Sequence, residues 1–146
     1  RAPITANNFL KYVTDGHFDG TIFHRVVADF VVQGGGYTRD IEEKDLRCPI
    51  PNESGNGLQN LPMTVAMARY DDPHTATAQW FVNLKANASL DPSPSRWGYA
   101  VFGAVVQGQD VVEAIGSVDT GYSERLDATD VPQVPIVIER AYVLEP

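Results

Sequence analysis

The chain has 146 residues, about one domain's worth of polymer, with 43% hydrophobic and 21% charged residues; such a composition builds a core without staples and excludes disordered or collagen-like structure. Eleven Lys and Arg against nineteen Asp and Glu leave a net charge of -8, and the basic residues are not gathered on one stretch, so nucleic acid is excluded as a partner. No apolar run approaches the roughly 20 residues that a membrane span needs, and the single cysteine, Cys48, rules out an internal disulfide.

The chain opens on Arg1-Ala2-Pro3-Ile4, without the charged and apolar regions of a signal peptide, and an upstream piece is expected to be missing. Phe9, Tyr12 and Val13 follow helical spacing and predict a first helix over Thr5 to Gly16, with Thr5 as N-cap and Gly16 as stop. Thr21 to Val27, Phe30 to Gln33, Thr64 to Ala68, Gln79 to Leu84 and Tyr99 to Val106 are short, rich in β-branched and aromatic residues, and bounded by turn formers; they read as strands. Asp110 opens a second short helix as its N-cap, with Val111, Val112 and Ile115 apolar and Gly116 at its end. Val134 to Leu144 reads as a last strand, with Pro135 near its start. Two helices among at least six strands predict one mainly β domain over residues 1–146, a barrel or sandwich with helices over its ends. Tyr37 to Asn60 and Asp91 to Gly98 have loop composition, and long loops often line a site.

Most motif-like stretches carry no chemistry. Gly34-Gly35-Gly36 lacks the lysine and serine of a phosphate loop. His17, His24 and His74 are scattered, and with one cysteine they make a poor metal set. There is no nucleophile elbow, and Asn52-Glu53-Ser54 and Asn87-Ala88-Ser89 match the glycosylation pattern no better than chance. No metal and no cofactor is expected. Phe23, Phe30, Val31, Met67, Trp80, Phe81, Leu90, Tyr99 and Phe102 read as core. Arg25 and Gln33 do not: a guanidinium in a strand of Val and Phe must reach water or be held in a network, which puts it at the rim of a cleft.

Three spaced stretches carry a resemblance. FHRVVADFVVQGGG (residues 23–36), MARYDDPHTATAQWFVNL (67–84) and WGYAVFGAVVQGQDVVEAI (97–115) resemble the signatures of cyclophilins, and the match runs over essentially the whole chain, with bacterial members most alike. The resemblance implies a closed antiparallel eight-stranded barrel capped by two helices. It also implies two strands ahead of the first helix, about 25 residues with their turn, which this chain lacks; the domain is therefore expected to be N-terminally truncated. It implies peptidyl-prolyl cis-trans isomerase activity on proline-containing peptides and folding proteins, with Arg25 and Gln33 catalytic and with Phe30, Val31, Ala68, Arg69, Gln79, Phe81, Leu90 and Tyr99 holding substrate. Ser89 stands where drug-sensitive relatives carry tryptophan, and Val31 replaces a more usual methionine, so cyclosporin binding is expected to be weak. A monomer is expected, cytoplasmic, with the periplasm as the alternative. Two other functions are open: a noncatalytic proline-peptide module on the same fold, and a small barrel that carries an apolar ligand.

Overall fold

The computed structural model describes residues 1–145. Helix α1 spans Pro3–Thr14, and β1 (Arg25–Val27) and β2 (Val31–Gly34) follow as a hairpin. Next come β3 (Thr64–Met67), β4 (Trp80–Asn83), β5 (Val101–Ala104), helix α2 (Gln109–Gly116) and a second hairpin of β6 (Thr120–Ser123) and β7 (Ala128–Pro132). The first five strands form one antiparallel sheet in the order β1-β2-β4-β3-β5, and β6-β7 form a two-stranded sheet.

The closed eight-stranded barrel is therefore corrected: among the described residues there are seven strands in two sheets. The difference lies in two segments. Thr21 to Phe23, expected to begin the first strand, is held only through isolated bridges of Thr21 to Thr38 and of Ile22 to Val137. Val134 to Leu144, expected as the last strand, runs beside it with three backbone bonds, Phe23 N to Ile136 O, Gly20 N to Ile138 O and Ile138 N to Thr21 O, and forms no continuous ladder. Pro135 has no N–H to give. The hairpin β6-β7 was not expected, because Thr120 to Pro132 is polar and lacks the alternation that marks a half-buried strand.

Both helix starts also differ from expectation. In α1 the N-cap is Ala2 and Pro3 takes the first turn, where its missing N–H costs nothing. Thr5 lies inside that turn, and its N–H and Oγ1 both donate to Glu53 Oε1 at 2.6 Å, so a carboxylate from a distant loop satisfies the helix start. The stop at Gly16 agrees with the structure. Its φ of 71° is left-handed, with Gly16 N bonded to Val13 O and His17 N to Tyr12 O, the paired bonds of a Schellman end. In α2 the N-cap is Gly108, and Asp110 sits in the first turn, where its charge still favours the helix dipole.

The large sheet has two unlike faces. Val26, Val32 and Val82 point one way and pack under Val112 and Ile115 of α2. Val31, Ala66, Phe81 and Val101 point the other way into a second buried cluster. A third cluster joins Tyr12 and Val13 of α1 to Phe18 and Ala78, with Phe9 and Trp80 against it. No helix among the described residues is long and apolar enough to cross a membrane.

Candidate active site

Strand register explains how distant residues meet. Arg25 pairs with Gln33, Gln33 with Phe81, Phe81 with Ala66, and Ala66 with Val101. Directly opposed residues of an antiparallel sheet point to the same face, so this one transverse row crosses all five strands, cationic and polar at the β1 edge and apolar beyond. Phe30 enters from the tight β1-β2 turn, where Phe30 N bonds Val27 O at 3.0 Å and Asp29 takes a left-handed φ of 57°. Leu90 enters from the one-turn helix Ala88–Leu90, and Tyr99 precedes β5.

Above this row lies an open cleft of about 390 Å³, and every residue lining it, Arg25, Phe30, Val31, Gln33, Ala68, Arg69, Phe81, Leu90 and Tyr99, belongs to the expected set. Gln79 does not line it. It stands behind Gln33 and borders an adjoining cavity of about 330 Å³, which also touches Gln33, Ala68 and Arg69. The cleft floor is buried core, with Val31 and Phe81 almost without exposure, while Arg25, Gln33 and Tyr99 are half-buried at its rim.

Polar groups at the rim form a directed chain. Arg25 Nη1 donates to Gln33 Oε1 at 3.3 Å, and Gln33 Nε2 donates to Gln79 Oε1 at 2.9 Å. That bond is the only one the Arg25 guanidinium makes among the described residues, and Arg25 lines the cleft beside the Phe30 ring, whose centroid is 6.0 Å from the guanidinium carbon. Gly36 makes the chain sterically feasible: a Cβ there would meet Gln79 Nε2 at 2.5 Å, so a side chain would displace Gln79. His24, buried beside this chain and edge-on to Tyr37 at 4.9 Å, is pushed down to about 4, first by desolvation and then by the Arg25 charge, against a hydrogen bond donated to Gln79 that favours the cation. At neutral pH it adds no second positive charge beside Arg25.

Arg69 has a different position from Arg25 although both are guanidinium groups on the cleft. Its Nε donates to Gly98 O at 3.2 Å, Nη1 to Tyr70 O at 2.8 Å and Asp71 O at 3.3 Å, and Nη2 to Trp97 O at 2.9 Å. It also lies 4.4 Å over the Tyr99 ring, which meets Phe81 edge-on at 5.9 Å. Its donors are committed to two loops, so it builds the wall, while Arg25 is left to act. Sequence spacing carries no signal of this clamp, because its acceptors are all backbone carbonyls. The glycosylation patterns also end in structure: Asn87 is buried with both amide protons donated, and Asn52 Nδ2 donates to Pro73 O and Gly98 O.

Residues 1–143 match the family model described as cyclophilin type peptidyl-prolyl cis-trans isomerase. A peptidyl-prolyl cis-trans isomerase of Streptomyces antibioticus is 57% identical over 146 residues, covering 98% of this chain and 87% of that protein. Peptidyl-prolyl cis-trans isomerase B of Escherichia coli is 45% identical over 148 residues, covering 99% and 89%. The crystal structure of a Cryptosporidium parvum cyclophilin-type isomerase in the presence of the dipeptide Ala-Pro superposes with a TM-score of 0.77 at 19% identity, covering 99% of this chain and 87% of that one; at that identity the likeness speaks for the fold. A family match over nearly the whole chain and two bacterial relatives aligned along its length agree: the chain belongs to the cyclophilin-type peptidyl-prolyl cis-trans isomerases.

Proposed function

We propose that the cleft accelerates X-Pro isomerisation by donating a hydrogen bond from Arg25 to the twisted imide. The chain is a peptidyl-prolyl cis-trans isomerase by its family; the roles of its residues are what is proposed. Amide resonance sets a barrier of roughly 18–20 kcal/mol for an X-Pro bond, and no covalent bond need break to cross it. As the bond twists, the nitrogen lone pair leaves conjugation and becomes an acceptor. Arg25 would meet it with a charge that persists at any physiological pH, as a donor already placed where the lone pair develops. Gln33, held by Gln79, would fix the guanidinium and contact the substrate backbone. Phe30, Val31, Phe81 and Leu90 would seat the pyrrolidine ring, so that the residue before proline rotates while the ring stays still. The strand end at Ala68 and Arg69 would carry the peptide backbone along the wall. A barrier lowered by about 7 kcal/mol gives roughly a 10⁵-fold acceleration.

The observation that supports this most is the singly bonded Arg25 at the open end of a row whose next members are Gln33 and Phe81. An apolar-ligand carrier would need an enclosed cavity and has no use for a guanidinium with free donors in it. The substrates are proline-containing peptides and unfolded segments. Cyclosporin would bind weakly, because Ser89, exposed next to Leu90, offers neither ring nor indole N–H. Exchange spectroscopy on a short X-Pro peptide tests the reading: catalytic amounts of protein broaden and merge the cis and trans signals. A noncatalytic module would shift those signals by binding and leave the exchange rate at its uncatalysed value.

A further inference from the structure

Three walls of the cleft, Phe30, Leu90 and Tyr99, come from three separate connections, a tight turn, a one-turn helix and the segment before β5, and short connections at a protein surface do not hold side chains to a fraction of an ångström unaided. Behind them, outside the cleft, Asn60, Asn83 and Asn87 are 1%, 0% and 3% exposed. Asn83 closes β4 on the same face as Phe81, two residues away. Asn87 Nδ2 donates to Phe30 O at 2.9 Å and to Asn83 Oδ1 at 2.8 Å. Asn83 Nδ2 donates to Asn60 Oδ1 and Thr64 Oγ1, both at 3.0 Å. Asn60 Nδ2 donates to Asp91 Oδ1 at 3.0 Å and Tyr99 O at 3.4 Å, and its backbone N–H reaches the same Asp91 oxygen at 2.7 Å. The backbone closes the figure: Leu90 N bonds Asn87 O at 2.9 Å, and Tyr99 N bonds Leu90 O at 2.9 Å.

Every side-chain amide proton of the three asparagines is used: Asn87 donates to the Phe30 carbonyl on one side and to Asn83 on the other, and from there the donors run through Asn83 and Asn60 to the Asp91 carboxylate. A buried, fully satisfied polar network fixes geometry, and one with a single reversed dipole is costly. Three amides are a heavy commitment for a place where alanine would pack, unless the turns they tie together must keep one spacing.

We propose that Asn60, Asn83 and Asn87 are positioning residues for the isomerase reaction, which set the width of the proline pocket by tying Phe30, Leu90 and Tyr99 together from behind. This rests on the isomerase reading above. Phe30 and Leu90 would seat the pyrrolidine ring, with Tyr99 bounding the same cleft, and the ring changes little between ground and transition states, so the relay governs its binding in both. Arg25, which hangs on the Gln33 and Gln79 chain, governs the barrier.

The test is a steady-state exchange titration with an X-Pro peptide on the unmodified chain, Asn87→Asp and Asn87→Ala, with thermal unfolding recorded alongside. Asn87→Asp keeps the shape and turns two donors into acceptors; Asn87→Ala removes the link without adding a charge. The expected result is KM raised roughly tenfold in either folded variant, with kcat within about twofold, the signature of lost uniform binding. A folded variant whose kcat falls as much as its KM rises, or whose KM stays within twofold, overturns the proposal. If neither variant folds, side-chain amide hydrogen exchange in the unmodified chain decides: slow exchange at Asn60, Asn83 and Asn87 supports the relay, and exchange at the solvent rate overturns it. Absence of turnover in the unmodified chain would instead sink the isomerase reading, a distinct failure.

Discussion

At the scale of single residues, the structure separates side chains that the sequence presents alike. Arg25 and Arg69 are both arginines beside apolar strands, yet four carbonyls hold one and one glutamine holds the other. From composition and spacing Phe30, Val31, Phe81, Leu90 and Tyr99 read as core and only Arg25 and Gln33 stand out; the resemblance of three spaced stretches is what gathers them into one expected site, and the eight-residue interval between Arg25 and Gln33 is the register of a hairpin. The asparagine relay was not legible, since its partners lie up to 57 positions apart and an asparagine at a strand end reads as punctuation. His24 gives a pH prediction at this scale. Its folded value is depressed to about 4 from 6.5, so the unfolded chain binds the extra proton between those values and stability rises with pH. Stability from this group is complete above about pH 6.5 and is lost as pH falls through 4, on the order of 3 kcal/mol in all. Thermal midpoints measured between pH 7 and 4 should fall in the unmodified chain and fall less in His24→Gln. Ser89 gives another: Ser89→Trp should tighten inhibition by cyclosporin about tenfold or more, as a ring contact and a hydrogen bond are restored, with turnover unchanged. Equal inhibition of both forms would show that Ser89 lies off the drug surface.

At the scale of elements, what the sequence hid is mostly where backbone bonds go. Thr5 has the chemistry of an N-cap, but Pro3 begins the helix two residues earlier and Glu53 arrives from the far loop to take both Thr5 donors. Nothing local to residues 1–16 announces that carboxylate. Val134 to Leu144 has strand composition, yet composition does not make a ladder where the neighbouring segment offers only isolated bridges. The polar hairpin β6-β7 is the reverse case, a ladder without apolar alternation. The bend just past β2 carries a prediction of its own. Gly36→Ala would place a methyl group on Gln79, and the flexible amide would swing away and release Gln33. Turnover on an X-Pro peptide should drop roughly tenfold, the cost of one lost positioning hydrogen bond, with the melting temperature nearly unchanged. Full activity in that variant would mean that Gln79 has no part in holding Arg25.

At the scale of the whole molecule, the cleft and the core are one structure. Phe81 is 4% exposed and belongs to a buried cluster with Val31, Ala66 and Val101, while its other side is the cleft wall. Phe81→Ala should therefore cost about 3–5 kcal/mol of stability, a fall in melting temperature of roughly ten degrees for a chain of this size, together with weaker binding of proline peptides. Loss of one without the other would place Phe81 in only one of the two structures. Arg25 is the exception to this coupling, since it is half-buried at the rim with a single bond, so it can be changed without unfolding the sheet. That makes it the place to test the central claim, that a guanidinium donor lowers the isomerisation barrier. The measurement is kcat/KM on a short X-Pro peptide for Arg25→Ala and Arg25→Lys beside the unmodified chain, with melting temperatures to show that all three are folded. Arg25→Ala should lose about 10²- to 10³-fold, the usual effect of removing a donor aimed at developing charge, and Arg25→Lys should recover little of it, because an ammonium lacks the planar fork that Gln33 holds. Turnover within twofold of the unmodified chain in a folded Arg25→Ala protein would contradict the account.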